Sequence, residues 1–312
     1  MSAEYTRALS HRLPLVRGAD VKAVQRRLET LGVPPGRIDG LYGRSTETAV
    51  REFQAGHGLK VDGIVGPRTW SALFSEHGLA RIQRLLPELK ELHAFRDSVE
   101  WHLDAEGLLI GDADDPEVWG GPPATVRRIW DDYGAPIREW AHDFGVPVEL
   151  IVSTICTESD GRANAIREEP GFISDAKTPD RVSAGLMQTL ISTARSALGE
   201  DEIGRRWLLN PSNSIRAGTA YIAQQWKDTH LDPPKVACAY NAGGLYYNGS
   251  SDNRWRMRQY PIGTSEHADR FVKWFNECFF MFDEDGGSPP HSFYHQIRST
   301  ADGSNDDSPD SG

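Results

Sequence analysis

The chain has 312 residues, 25% of them charged, with a formal net charge of -11. That length holds two domains, one small and one with a sizeable core, and the acidic balance argues against a general binder of nucleic acid or anionic membrane. Three scattered cysteines (Cys156, Cys238, Cys278) are too few for a disulfide framework, and their apolar settings suit buried thiols.

The opening stretch MSAEYTRALSHRLPLVRGADVK lacks an apolar run of signal-peptide length, and no segment approaches a membrane span. Synthesis in the cytoplasm without a classical signal is the expectation. A short internal echo follows. Asp39-Gly40-Leu41-Tyr42-Gly43-Arg44-Ser45-Thr46 and Asp62-Gly63-Ile64-Val65-Gly66-Pro67-Arg68-Thr69 share D-G-x-x-G-x-x-T. Each Asp-Gly reads as a turn and each later Gly as the opening of a helix, the second with Pro67 at its first position. Helices are predicted over 19–31, 44–57 and 67–74, a three-helix unit in a first domain of residues 1–75.

Residues 76–122 read as a helical spacer: a helix over 79–96, then the acidic, Gly- and Pro-rich DAEGLLIGDADDPEVWGGPP. A second domain is expected over 123–282. Val126, Ile129, Trp130, Tyr133, Ile137 and Trp140 keep helical spacing as core residues, with Gly134 and Pro136 splitting the run into two helices. Further helices are predicted over 192–199, 211–228, 234–242 and 267–280, with Asn210 capping the one that Pro211 opens. The acidic segment 283–312 reads as disordered. His291 and His295 lie four apart, but no third ligand is in view, so no metal and no cofactor is expected.

The stretch PVELIVSTICTESDG at 147–161 ends an apolar helix on a glutamate. Ile151, Thr154, Ile155 and Glu158 share one face. Apolar neighbours and the negative end of the helix dipole both disfavour a charged Glu158, which makes it a candidate proton donor. The alternative is a frayed last turn with Glu158 in solvent.

The first unit, through LPLVRGADVKAVQRRLETLG, DGLYGRSTETAVREFQ and VDGIVGPRTW, resembles the peptidoglycan-binding domain found at the ends of many cell-wall hydrolases, over Leu13–Phe74. The resemblance implies wall contacts around the repeated turns, with Asp39, Tyr42, Arg44 and Asp62 as candidates. The alternative is that the two aspartates shape turns and Tyr42 packs.

In the second unit three motifs fall in order: Thr157-Glu158-Ser159, Gly185-Leu186-Met187-Gln188 and Ala239-Tyr240-Asn241-Ala242-Gly243. The set resembles the catalytic domain of soluble lytic transglycosylases, in the goose-type lysozyme superfamily, over about 125–280. It implies a mainly α fold and a muramidase. On that resemblance Glu158 is expected to protonate the glycosidic oxygen between N-acetylmuramic acid and N-acetylglucosamine, then as carboxylate to deprotonate the muramic C6 hydroxyl and give a 1,6-anhydro product. Ser159, Met187, Gln188, Tyr240 and Asn241 are the implied substrate-binding set. Met187 and Gln188 line the cleft floor, Tyr240 reaches Glu158 or the sugar, and Asn241 supports the loop.

Three departures stand out. The glutamate-to-glycine spacing, Glu158 to Gly185, is longer than the family pattern. The insertion REEPGFISDAKTPDRV brings Glu168, Glu169, Asp175 and Asp180 near the cleft, and Asp180 resembles the goose-type aspartate that helps a water attack. Ser214-Ile215 and Phe271-Val272 replace the usual Asn-Ile and Tyr-Val, leaving room for altered sugar contacts.

Peptidoglycan strands are the expected partner of a monomer acting on the wall outside the cytoplasmic membrane. The expected routes are holin-type release as a phage endolysin, virion delivery, or injection as an effector that would have an immunity protein. A noncatalytic wall-binding protein is the reading from another functional class.

Overall fold

The computed structural model describes residues 5–56 and 59–302. Three helices, α1 (Ala19–Thr30), α2 (Arg44–Gly56) and α3 (Pro67–Lys90), build the N-terminal unit. Leu9, Val24, Leu28, Tyr42, Val50, Phe53, Val65 and Leu73 form its core. Each D-G turn is held by one buried glutamine. Gln25 donates to Leu41 O (3.0 Å) and Thr46 Oγ1 (3.1 Å) while its Oε1 accepts from Gly40 N (2.8 Å). Gln54 repeats the pattern with Ile64 O (2.9 Å), Thr69 Oγ1 (3.0 Å) and Gly63 N (2.9 Å). Gly63 turns with φ +68, and a Cβ there would stand 2.7 Å from Glu47 Cγ, so this turn requires glycine.

α3 carries a non-helical residue, Phe74 (φ -128, ψ 19), and serves both cores. Leu73 and Phe74 close the small one, whereas Ile82, Leu85, Leu86 and Leu89 belong to the large one. Residues 76–122 are therefore not a spacer, and the expected helix over 79–96 ends at Lys90. A three-stranded antiparallel sheet follows, β1 (His93–Ala94), β2 (Glu100–Asp104) and β3 (Gly107–Ile110). Trp101, Leu103 and Leu108 bury its inner face in the large core. Asp232, fully buried, accepts from Trp101 Nε1 (2.8 Å) and pairs with His93 (2.9 Å) and Lys235 (2.9 Å).

α4 (Ala124–Phe144) runs unbroken through Gly134 and Pro136, where two helices were expected. An internal proline costs a helix about 3 kcal/mol. Burying Val126, Ile129, Ile137 and Trp140 against the neighbouring helices outweighs that. α5 (Val148–Ser159) follows, then a second small antiparallel sheet of β4 (Ile166–Glu168), β5 (Val182–Ala184) and β6 (Thr189–Leu190).

The helices that follow are α6 (Ile191–Leu198), α7 (Arg205–Leu208), α8 (Pro211–Gln224), α9 (Trp226–Thr229), α10 (Pro233–Ala242), α11 (Glu266–Glu284) and α12 (Phe293–Asp302), with a non-helical segment over 243–265 between α10 and α11. Asn210 caps α8 by accepting from Asn213 N (3.1 Å). Among the described residues no helix is long and apolar enough to cross a membrane.

The expectation of disorder after 283 is corrected as far as Asp302; residues 303–312 lie outside the described ones. α12 buries Phe293, Tyr294 and Ile297. Its first turn is held by Glu149 of α5, whose carboxyl accepts from Ser292 Oγ (2.5 Å), Tyr294 N (3.0 Å) and Phe293 N (3.2 Å). A carboxyl at a helix N-terminus satisfies orphan amides and faces the positive end of the dipole. His291 is buried and packs edge-on against His142, ring centroids 5.1 Å apart.

Glu149→Ala leaves these donors buried without an acceptor. The expected loss is about 3 kcal/mol in denaturant-induced unfolding, with α12 released first and read as new amide exchange over residues 293–302.

Candidate active site

α5 is buried along almost its whole length, so its register is fixed from every side. It stops where Asp160 (φ 53) and then Gly161 (φ 74) turn left-handed. These two left-handed residues cannot continue the helix, and Glu158 remains in its last turn. The frayed alternative does not hold: the Glu158 side chain is 18% exposed.

Glu158 stands in a cleft of about 340 Å³ shared with Arg167, Glu169, Asp180, Gln188, Tyr221, Tyr240 and Asn241. Burial pushes its carboxyl up to about 7, opposed by the positive charges of Arg270 and Arg167. Arg270 is fixed by donating to Thr157 O (2.8 Å). The His267 imidazole Nε2 lies 3.6 Å from Glu158 Oε1.

The G-L-M-Q segment forms the floor. Gly185 has φ +79, and a Cβ there would stand 2.0 Å from Leu208 O and 2.7 Å from Ser214 Oγ. Ser214 accepts from Met187 N (3.1 Å) and is fully buried. Gln188, itself at φ 46, donates to Gly185 O (2.8 Å) and Ala165 O (3.0 Å) and accepts from Ser183 Oγ (3.1 Å). Both of its amide hydrogens are thereby occupied, although the side chain borders the cleft.

Tyr240 lines the cleft, its ring tilted at 59° to that of Tyr221 with the centroids 5.3 Å apart. Its hydroxyl donates to Met187 O (2.8 Å) and meets Thr189 Oγ1 (2.9 Å), so it anchors the floor instead of reaching Glu158. Asn241 accepts from Tyr260 N (2.6 Å), supporting its loop.

Two members of the expected substrate-binding set do not reach the cleft. Ser159 is buried and donates to Leu186 O (2.6 Å), and Met187 is fully buried against Gly218, because the helix face and the turn between β5 and β6 point both side chains inward. Ser214 and Phe271, expected to alter sugar contacts, are likewise buried. Of the insertion's acids, Asp175 and Glu168 pair with Arg205 (2.8 Å each), bracing the loop against α7. Glu169 pairs with Arg167 (2.8 Å) at the cleft, and Asp180 is 65% exposed on its wall.

In the N-terminal unit, Tyr42 leaves the set of surface contacts: it is fully buried and its hydroxyl donates to Gly63 O (2.8 Å). Asp39 and Asp62 accept from the amides of Leu41 and Ile64 (2.9 Å each), and Arg44 is exposed. Leu41 and Ile64, equivalent in the echo, are exposed apolar tips. Sequence reasoning passed over His267, Tyr221 and Arg167. No motif marks them, and the helical periodicity of α8 was the one available signal, for Tyr221.

Comparison with known proteins matches two segments of the chain to domain families. Residues 17–73 match the putative peptidoglycan binding domain and residues 135–258 the transglycosylase SLT domain. The chain is 42% identical over 57 residues to the N-acetylmuramoyl-L-alanine amidase CwlM of Mycobacterium tuberculosis, 18% of this chain and 14% of that protein. It is 51% identical over 57 residues to the spore cortex-lytic enzyme of Bacillus subtilis, 18% of this chain and 19% of that one. The match thus spans less than a fifth of either relative. The crystal structure of a Burkholderia AP3 phage endolysin aligns with 88% of this chain and 100% of its own at 16% identity and a TM-score of 0.26. On the two domain matches, the chain joins a peptidoglycan-binding domain to a transglycosylase SLT domain.

Proposed function

We propose that this chain degrades peptidoglycan, its second domain cutting the β-1,4 bond between N-acetylmuramic acid and N-acetylglucosamine as a lytic transglycosylase. The observation that carries the reading is Glu158, a carboxyl held near neutrality by burial at the base of an open polar cleft. Protonated Glu158 gives its proton to the glycosidic oxygen, the C1–O bond breaks, and the glucosamine leaves as an alcohol. The substrate acetamido group supports the oxocarbenium-like centre. Glu158, now a carboxylate, takes the C6 hydroxyl proton as that oxygen bonds to C1, which restores the acid and closes the 1,6-anhydro ring.

One carboxyl serves both steps, and a value near 7 suits both. The N-terminal domain holds the enzyme on its polymer, so a weak site suffices.

The second reading is hydrolysis by water. Asp180, an exposed carboxylate on the wall of the same cleft, favours it. The two are separated by the mass of the soluble products from purified sacculi. Transglycosylation gives 1,6-anhydromuramic ends, and Asp180→Asn leaves their yield within about twofold. Hydrolysis gives reducing ends one water heavier, and Asp180→Asn lowers them about 100-fold.

Glu158→Gln should abolish release of either product, by a factor of about 100 or more, while sedimentation with sacculi persists. Unchanged release by this variant sinks the assignment, and a wild-type protein that binds without releasing anything is a wall-binding protein only. Activity needs the protonated acid, so wild-type turnover should fall as pH rises through about 7.

The same shift makes a stability prediction. A carboxyl raised from 4.5 unfolded to about 7 folded binds its proton more tightly in the native state. Its ionisation therefore costs the fold nothing below about pH 4.5 and about 3 kcal/mol above pH 7. Thermal melts should show Glu158→Gln close to wild type at pH 4.5 and more stable than it at pH 8.

A further inference from the structure

His267 of α11 lies outside all three motifs, yet a chain of contacts fixes which of its nitrogens carries the proton. The Tyr260 amide donates to Asn241 Oδ1 at 2.6 Å. Only the oxygen of an asparagine amide accepts, so that bond sets the orientation of the side chain. Asn241 Nδ2 then lies 3.4 Å from His267 Nδ1. An amide nitrogen only donates, so Nδ1 is the acceptor and the proton of the neutral ring is on Nε2. Nε2 stands 3.6 Å from Glu158 Oε1.

On the enzyme reading above, we propose that His267 is a positioning residue for Glu158: locked by Asn241 as its Nε2–H tautomer, it directs a neutral donor at Oε1 and leaves Oε2 to exchange the proton with substrate. The 3.6 Å separation exceeds a formed hydrogen bond, and contacts of this kind tighten when charge develops. The donor favours the carboxylate and so limits how far burial raises Glu158, keeping it able to serve as base after it has served as acid.

The surroundings suit a neutral donor. Burial and then the nearby Arg270 push the His267 imidazolium down to about 4, so the ring is uncharged wherever Glu158 titrates. The other charged or titratable groups facing the pair are Arg270 on α11, Arg167 on β4, Tyr240 on α10, Tyr221 on α8, and Glu169 and Asp180 on the cleft wall. Arg270 is tied to the Thr157 carbonyl and Arg167 to Glu169.

The test compares wild type, His267→Leu and His267→Gln, whose amide restores a donor at similar reach. His267→Met stands in for the leucine variant if that does not fold. Two readouts are taken: the ¹³C titration of the Glu158 carboxyl carbon by NMR, and the pH dependence of soluble product release from sacculi.

Without the donor, the Glu158 midpoint and the alkaline limb of activity should both move up by about one pH unit, with turnover at pH 6 down about tenfold. The glutamine variant should return both towards wild type. An unmoved midpoint in the leucine variant overturns the proposal, as does a glutamine variant as impaired as the leucine one, which is the mark of packing alone. A wild-type protein that releases no product overturns the enzyme reading and the positioning role together, whereas an active wild type with an unmoved leucine variant overturns this proposal alone.

Discussion

The second domain depends on one helix, α5, being apolar enough to be buried on every side while carrying a carboxyl near each end. Glu149 and Glu158 are nine residues apart on the same helix and meet opposite surroundings. Glu149 faces Ser292 and the first amides of α12, so burial still pushes its carboxyl up while three donors and a helix dipole oppose that shift only in part. Glu158 sits at the negative end of its own helix, with burial dominating and two arginines only partly opposing it. One carboxyl fastens the C-terminal helix to the core. The other is left high in energy when ionised, which on the proposed function suits it to act as the acid.

The motif around Gly185 acts mainly as architecture. Its polar atoms are turned on the protein itself: Gln188 on Gly185 and Ala165, the Met187 backbone on Ser214 and Tyr240, the Leu186 carbonyl on Ser159. Each bond tightens a floor in which Gly185 lies against the Leu208 carbonyl with no room for a side chain. A rigid floor fixes the distance between the acid and whatever lies in the cleft, and positioning of that kind supplies much of a catalyst's advantage.

What the sequence made legible follows from the range of the forces involved. The buried place of Glu158 at the end of α5 was readable because its neighbours at helical spacing and the stop at Gly161 are local signals. So were the two D-G turns and the cap at Asn210. The glutamines that hold the turns were not, because Gln25 precedes Asp39 by 14 residues and Gln54 precedes Asp62 by 8, so they break the register of the echo. The strands at 93–110 are too short for an alternating pattern to show against the glycines and acids around them. α12 looked disordered by composition, and its order comes from Glu149, more than 140 residues away in sequence. Ser159 and Met187 were placed in the cleft by motif membership, whereas the side-chain direction that buries them is a tertiary fact.

The helix that ends the N-terminal domain also begins the packing of the second, and this changes what the binding domain can do. α3 contributes Leu73 to one core and Ile82 to the other. Near its start, Arg68 pairs with Glu139 and Asp143 of α4 and lies 5.0 Å over the Trp140 ring. A flexible linker would let the catalytic domain sample a wide radius around the anchor, with an effective concentration that falls as the linker lengthens. A shared helix latched by an arginine instead holds the two units at close quarters. On the proposed function, this favours cutting glycan close to where the wall is held, and advance along a strand then requires the weak anchor to release and rebind. The exposed tips at Leu41 and Ile64 suit that role, since small apolar contacts on a polar polymer give modest affinity and fast exchange.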